Sequence, residues 1–113
     1  MKVHSALGPG LLESAYHECL AHELRMRGLA VREHVSMPIA YGGLTLDHAY
    51  KADLILDDAV IVEVKAVTRL HPIHEAQLLS YLVLSGLQVG LLINFHEMHL
   101  KDGIRRMVNG FRE

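Results

Sequence analysis

The segment from Leu44 to Val67 constrains the fold most strongly, because its pattern of apolar and polar residues fits two strands joined by a tight turn. Valine, isoleucine and leucine are frequent in both halves of the segment, Leu44 to Leu56 and Val60 to Val67. The Asp57-Asp58 pair lies between the halves, where aspartate favours a turn. The segment is therefore predicted to form a β-hairpin.

The two faces of this hairpin differ in polarity if residues 57–59 form a three-residue loop. One face is then entirely apolar and comprises Ala52, Leu54, Leu56, Val60, Val62 and Val64. The other face comprises Lys51, Asp53, Ile55, Ile61, Glu63 and Lys65, with Asp53 opposite Glu63 and Lys51 opposite Lys65. A two-residue loop would put the two carboxylates on opposite faces. The pattern thus predicts the register that brings Asp53 and Glu63 together.

A first helix is predicted from Pro9 or Gly10 to Arg27, since proline suits a first helical turn and Gly28 suits the C-terminal cap. Glu13 lies at the border of its apolar stripe, so we expect a partly buried carboxylate there. The stripe comprises Leu11, Leu12, Ala15, Tyr16, Cys19 and Leu20, and we expect Tyr16 to be a core or wall residue.

The remaining elements complete an α/β chain. Pro38 interrupts the extended segment from Ala30 to Tyr41 and favours an edge strand or a bulge. A second helix is predicted from His71-Pro72 to Ser85, followed by a short buried strand from Val89 to Ile93. The tail from Leu100 to Phe111 fits either a strand or a helix. The order helix, three strands, helix, strand includes a late crossover helix.

Length and composition fit a single globular domain over residues 1–113. Half of the residues are apolar and 21% are charged. One cysteine, Cys19, provides neither a disulfide framework nor a thiolate metal cluster. No apolar run reaches the ~18 residues of a membrane span, and the N-terminus lacks the apolar core of a signal peptide, so a cytoplasmic location is expected.

Asp53, Glu63 and Lys65 are the residues with the clearest chemical potential. Two carboxylates at cross-strand distance repel each other unless a cation lies between them or one is protonated. Such hard oxygen ligands suit Mg²⁺ or Mn²⁺. Lys65 on the same face could help to activate water and to stabilise charge on a phosphate. From the spacing alone, an ordinary solvated strand face is the alternative.

The arrangement of Asp53, nine further residues and then Glu63-Val64-Lys65 resembles the D-x(n)-ExK signature of the PD-(D/E)xK nuclease superfamily. On the following helix, Gln77 and Tyr81 resemble the Q-xxx-Y motif of its RecB-like branch. Gly10, Glu13 and Tyr16 resemble the motif that names the GxxExxY protein family. The resemblance covers nearly the whole chain.

The resemblance implies a restriction-endonuclease-like αβββαβ core with a central mixed sheet flanked by helices. It also implies one or two divalent ions, Mg²⁺ or Mn²⁺, with Lys65 as the catalytic lysine beside Asp53 and Glu63. The implied metal ligands are Glu13, Asp53, Glu63 and the carbonyl of Val64. The candidate substrate contacts are Gln77, Tyr81, Lys51 and His74.

Two departures from the family pattern stand out. Position 52 is alanine where the superfamily name has proline. Family members usually carry a further helical segment before the equivalent of Val3-His4, so the chain is expected to be short at its N-terminus.

Other residues have alternative interpretations. The pairs His71/His74 and His96/His99 have spacings that could bind zinc or iron, but no third ligand of matching type lies close to them in the sequence. Gly103, Arg105 and Arg106 are candidates for phosphate contacts or for an ordinary solvated surface.

Two functions follow from these observations. The first is hydrolysis of nucleic-acid phosphodiester bonds, of DNA rather than RNA, by a metal-dependent enzyme that acts as a monomer, as a homodimer or with a partner subunit. The second is a catalytically silent domain that binds nucleic acid or protein and retains the nuclease fold. A formal net charge of -2 favours the second, because DNA-binding modules usually carry a basic face.

Overall fold

In the computed structural model, which describes residues 2–110 apart from the side chain of Ala49, a five-stranded sheet is covered by helices on both faces. Met1 and residues 111–113 lie outside the described residues, and so does the Phe111 end of the predicted tail element. The elements are α1 Lys2–Leu7, α2 Glu13–Met26, β1 Val31–Tyr41, β2 Leu44–Leu56, β3 Val60–Lys65, α3 Pro72–Ser85, β4 Val89–Asn94, a short 3-10 helix Leu100–Gly103, and β5 Ile104–Val108.

The strand order in the sheet is the sequence order, β1-β2-β3-β4-β5. All neighbours are antiparallel except β3 and β4, which are parallel and are connected through α3. Parallel neighbours need such a crossover, since a tight turn can only join antiparallel strands. The predicted α/β fold, a mixed sheet flanked by helices, is confirmed, and the tail is a 3-10 helix followed by a strand.

Each face of the sheet has its own apolar core. On one face, α1 and α2 pack against β2, β3 and β4, and on the other α3 does so. The first core includes Val3, Tyr16, Leu20, Leu54, Val62, Val64 and Phe95, and the second includes Met37, Ala52, Ile55, Ile61, Leu78 and Leu82. Burial of each large apolar side chain stabilises the fold by about 1.5–3 kcal/mol. In the part of the chain that the structure describes, no helix combines the length and apolarity needed to span a bilayer.

The predicted hairpin register is confirmed near the turn. Leu56 pairs with Val60, and the following pairs are Ile55 with Ile61 and Leu54 with Val62. Asp57 and Asp58 both have positive φ, 50° and 52°, in the tight turn that the N–H of Ala59 closes on the carbonyl of Leu56. The prediction of a three-residue loop is therefore correct.

Beyond Leu54 the predicted hairpin faces are wrong. Leu54 packs in the core with α1 and α2, whereas Ala52 packs in the core with α3. The side chains of β1 change faces of the sheet in the same way at His34, which has a φ of 51°. His34 lies between the ladder pairs Glu33↔Leu54 and Val35↔Ala52. The side chains of both strands therefore change faces of the sheet at opposite positions, at His34 on β1 and at Asp53 on β2.

This exchange also changes the position of Lys51. The ladder between β2 and β3 ends at Leu54↔Val62, and Lys51 pairs instead with Ser36 on β1. The expected pairing of Lys51 with Lys65 is thus wrong, because the two strands separate before they reach it.

The first long helix begins later than predicted. Gly8 and Gly10 have positive φ, 70° and 108°, which is incompatible with a helix, so α2 starts at Glu13. Leu11, Leu12 and Cys19 are exposed, so the predicted stripe is wrong at these positions. Glu13 is exposed as well, so the expectation that its carboxylate is partly buried is also wrong. The residues of α2 that are buried are Tyr16, His17, Leu20 and Ala21.

Other boundaries agree with the sequence. β1 is an edge strand, and its pairing with β2 shifts register between Met37 and Ile39, beside Pro38. α3 runs from Pro72 to Ser85, and its C-cap Gly86 has the expected left-handed φ of 75°.

The Tyr16 side chain stabilises the loop that precedes α2. Its ring is fully buried and stacks on Phe95, with ring centroids 4.5 Å apart. Its hydroxyl donates to the carbonyl of Gly8 at 2.6 Å and accepts from the N–H of Leu11 at 2.9 Å. One buried hydroxyl thus holds the chain immediately before Glu13.

Replacing Tyr16 with Phe should lower the free energy of unfolding by about 1–2 kcal/mol, because two backbone groups lose their partner at the edge of the core. Urea denaturation of both proteins measures this difference. Tyr41→Phe is the matched control, since Tyr41 is 81% exposed and should tolerate the same change. Equal stability of Tyr16→Phe and the wild type would contradict this role of the hydroxyl.

Candidate active site

Asp53 and Glu63 lie where β2 separates from β3. The backbone N–H of Asp53 donates to Oε1 of Glu63 at 3.1 Å, and the N–H of Val64 donates to Oδ2 of Asp53 at 2.7 Å. Each carboxylate therefore binds a backbone amide of the opposite strand just past the last ladder pair, Leu54↔Val62. We call this point, defined by Asp53, Glu63 and Val64, the strand fork.

The environment of Glu63 disfavours a negative charge. The residue is only 4% exposed, and burial together with the adjacent Asp53 raises the pKa of Glu63 from its ordinary value of 4.5 to about 9. The hydrogen bond from the Asp53 amide and the charge of Lys65 act in the opposite direction but are weaker. A divalent cation between two such carboxylates would remove this penalty, so the donor set fits a hard cation.

Lys65 ends β3, two residues after Glu63, and is half-buried. Its carbonyl accepts the N–H of Phe95 at 2.8 Å. The fully buried Asn94 then holds Val67 at both backbone groups, with Oδ1 accepting at 3.0 Å and Nδ2 donating at 2.8 Å. These bonds hold the chain after Lys65 and so limit where its side chain can reach.

Glu13 lies near the fork, on the neighbouring helix α2. It is the first residue of α2 and lines, with Asp53, a cavity of about 210 Å³. The other residues around this cavity are Ser14, His17, Glu18 and His34. The structure thus brings Glu13 and Asp53 to one cavity and Asp53 and Glu63 to the fork, with Lys65 close enough to interact with Glu63.

α3 presents three candidate substrate contacts, His74, Gln77 and Tyr81, at spacings that share a helical face. Burial, and then the charges of Glu63 and Asp53, raise the pKa of Tyr81 to about 12. Burial, and then the electrostatic interactions with Lys65 and His71, lower the pKa of His74. Tyr81 is therefore close enough to the fork to interact with its carboxylates, His74 is close to Lys65, and the half-buried Gln77 lies between them on the helix.

Tyr81 also touches the far strand of the hairpin. Its ring meets that of Tyr50 edge-on, with centroids 5.1 Å apart. Lys51, the next residue, is exposed and is not part of the fork.

The histidine pair with helical spacing has a local structural role. Nδ1 of His71 accepts the N–H of Ile73 at 3.0 Å, and Nδ1 of His74 accepts the N–H of His71 at 3.1 Å, which caps α3. In the second pair, Nε2 of His96 lies 3.1 Å from the carbonyl oxygen of Leu11. The spacing of the first pair is explained by the helix cap.

A third group, which the sequence did not predict, is formed by His17, Glu33 and His34, whose potential ligand atoms all lie within 4.8 Å of one another. Hydrogen bonds from Arg25 and His17 lower the pKa of Glu33. The group joins α2 to β1, so no short motif encodes it. The one available signal is that His17 follows Glu13 by four residues and so shares its helical face.

A family model described as the PD-(D/E)XK nuclease superfamily matches residues 1–107 of the chain. The match begins before α1 and reaches into β5, so it includes the strand fork and α3. Nucleases of this superfamily typically use divalent metal ions, in agreement with the donor set at the fork. None of the curated proteins and none of the solved structures compared with the chain matches it.

Without added metal, the stability of the protein should fall as the pH rises between about 5 and about 9. The unfolded chain ionises Glu63 near its ordinary pKa of 4.5, whereas the folded state keeps the proton up to about 9. This contribution to stability is full at low pH and is lost across that window. Glu63→Gln should reduce the slope, as measured by urea denaturation in EDTA over a pH series.

Glu18→Gln provides the control, since Glu18 is an exposed carboxyl on α2 and should leave the slope unchanged. An identical slope in the wild type and in Glu63→Gln would show that folding does not raise the pKa of Glu63.

Proposed function

Because the chain belongs to the PD-(D/E)XK nuclease superfamily, we propose that it is an enzyme that hydrolyses phosphodiester bonds of DNA in the presence of Mg²⁺ or Mn²⁺. The observation that carries this proposal is the pair formed by the half-buried Asp53 and the buried Glu63, beside Lys65. The choice of DNA over RNA rests on the likeness of Gln77 and Tyr81 to the RecB-like branch. The spacing of Gly10, Glu13 and Tyr16 supports membership of the GxxExxY family.

Glu13, Asp53, Glu63 and the carbonyl of Val64 would hold the divalent ion. A bound divalent ion at such a site supplies Lewis acidity, which activates water for attack and offsets negative charge on the phosphate. The protein contributes the position of the ligands, because the Asp53 and Glu63 carboxylates are each fixed by a backbone N–H. Ligands held in this way need little rearrangement to bind an ion.

Lys65 has a role that no carboxylate can fill. Its ammonium group would donate hydrogen bonds to the scissile phosphate or to the attacking water, and its charge would stabilise the negative charge that develops on the phosphate oxygens. The bonds from Phe95 to Lys65 and from Asn94 to Val67 hold the backbone on either side. A lysine on a fixed strand end is therefore suited to catalysis.

The α3 face would hold the substrate strand. With a pKa near 12, Tyr81 keeps its proton at neutral pH and can donate a hydrogen bond to a phosphate or base oxygen. Gln77, one turn earlier, offers both a donor and an acceptor. His74 and the exposed Lys51 would make further contacts with the substrate at the edges of the site.

Supercoiled plasmid DNA should be cleaved by the protein with Mg²⁺ or Mn²⁺, and EDTA should abolish cleavage. Asp53→Asn and Lys65→Ala should each lower the rate by about 100-fold or more, since the first removes a carboxylate ligand of the ion and the second removes the positive charge beside the phosphate. Agarose gels over a time course measure the rates. Lys101→Ala, which removes an exposed lysine of the short 3-10 helix, is the control and should retain full activity.

Cleavage that is equally fast in the wild type and in Lys65→Ala would overturn the proposal. Failure of the wild type to cleave single-stranded DNA, duplex DNA or RNA would favour a silent binding domain instead. Circular dichroism of each variant checks that the fold survives.

A further inference from the structure

We propose that His17, Glu33 and His34 form a second metal site, which takes a transition-metal ion such as Zn²⁺ and lies beside the strand fork. The proposal goes beyond the nuclease function and does not depend on it. It rests on the arrangement of these three side chains, on the groups that orient them, and on the backbone of His34.

The three side chains converge from two elements. His17 comes from α2, and Glu33 and His34 come from β1. Nε2 of His17 lies 2.9 Å from Oε1 of Glu33, and the rings of His17 and His34 stack with centroids 4.6 Å apart. All the potential ligand atoms are within 4.8 Å of one another. In a tetrahedral zinc site with Zn–N of ~2.0 Å, ligand atoms are about 3.3 Å apart, so a shift of about 1–1.5 Å would close the site.

The least constrained ligand can supply that shift. His34 is exposed, and its ring can leave the stacked position by rotation about its side-chain bonds. His17 is 5% exposed and stays where Glu33 holds it. His17 and Glu33 are therefore already positioned as ligands, and His34 can complete the site by rotating towards them.

The carboxylate of Glu33 is oriented by interactions with Arg25, as ligand carboxylates in metal sites commonly are by neighbouring hydrogen-bond partners. Nη1 of Arg25 lies 3.0 Å from Oε2 of Glu33, and Nη2 of the same residue donates to the carbonyl of Val31 at 3.0 Å. Arg25 thus fixes one oxygen of Glu33 and leaves Oε1 directed at His17.

The backbone of His34 is an independent sign of function. Its φ of 51° lies within a strand, where a non-glycine residue at such an angle costs on the order of 1–3 kcal/mol. The exchange of faces does not require this angle, since Asp53 makes the same exchange on β2 without a positive φ. A glycine or asparagine would adopt this conformation at lower cost, so the imidazole itself is the feature that needs an explanation.

The donor set selects the class of metal. Two imidazole nitrogens and one carboxylate oxygen suit Zn²⁺, Co²⁺ or Ni²⁺, whereas Mg²⁺ prefers oxygen ligands alone. Three protein ligands leave a coordination position open towards the cavity that Glu13 and Asp53 also line. An ion there would link α2 to β1 and steady the helical turn that carries Glu13.

Thermal unfolding with and without zinc chloride tests the proposal. Zinc in ~100-fold excess over its Kd should raise the Tm of the wild type by about 10 °C. His34→Gly should lose this increase, although its Tm without metal should equal or exceed that of the wild type, because glycine accepts the positive φ. Glu33→Gln should lose the increase as well.

Two controls separate this site from others. His22→Ala, which removes an exposed histidine of α2 outside the cluster, should keep the zinc response. Glu63→Gln should also keep it, so that failure of the nuclease proposal and failure of this one are distinguishable. Substitution with Co²⁺ should give a visible absorption band that His34→Gly abolishes.

The proposal is overturned if zinc leaves the wild-type Tm unchanged. It is likewise overturned if zinc raises the Tm of His34→Gly as much as that of the wild type, because the ion would then bind elsewhere.

Discussion

The enforced proximity of Asp53 and Glu63 is the constraint on which the site depends. Two carboxylates would not normally lie this close where one of them is buried, but here the buried Glu63 and the half-buried Asp53 each accept a backbone N–H at the end of the β2–β3 ladder. Because these side chains take up amides that a continuing ladder would have used, the strands separate at this level. The repulsion that burial creates is what makes the fork a good site for a cation.

Features encoded locally could be predicted from the sequence. The alternation near the Asp57-Asp58 turn defined the register from Leu54 to Val62, and Pro72 and Gly86 marked the ends of α3. These signals work because turn chemistry, capping and strand alternation each depend on a few neighbouring residues. The proximity of Asp53 and Glu63 followed from the same alternation.

Features that depend on distant contacts could not be predicted in this way. The hydroxyl of Tyr16 holds residues 8–11 out of the helix, which leaves Leu11 and Leu12 exposed despite their helical spacing. The exchange of faces at His34 and Asp53 interrupts the alternation of the strand. The prediction that Ala52 shares a face with Leu54 is wrong for this reason. The cluster of His17, Glu33 and His34 joins two elements, so the residue spacing within either element does not predict it.

Anomalous diffraction from crystals of the protein soaked in Mn²⁺ shows whether the strand fork binds a divalent ion. We predict an anomalous peak within coordination distance of the carboxylates of Asp53 and Glu63, with Glu13 and the carbonyl of Val64 turned towards the same peak. A fully occupied manganese site elsewhere on the protein, with no peak at the strand fork, would contradict this role of the two carboxylates.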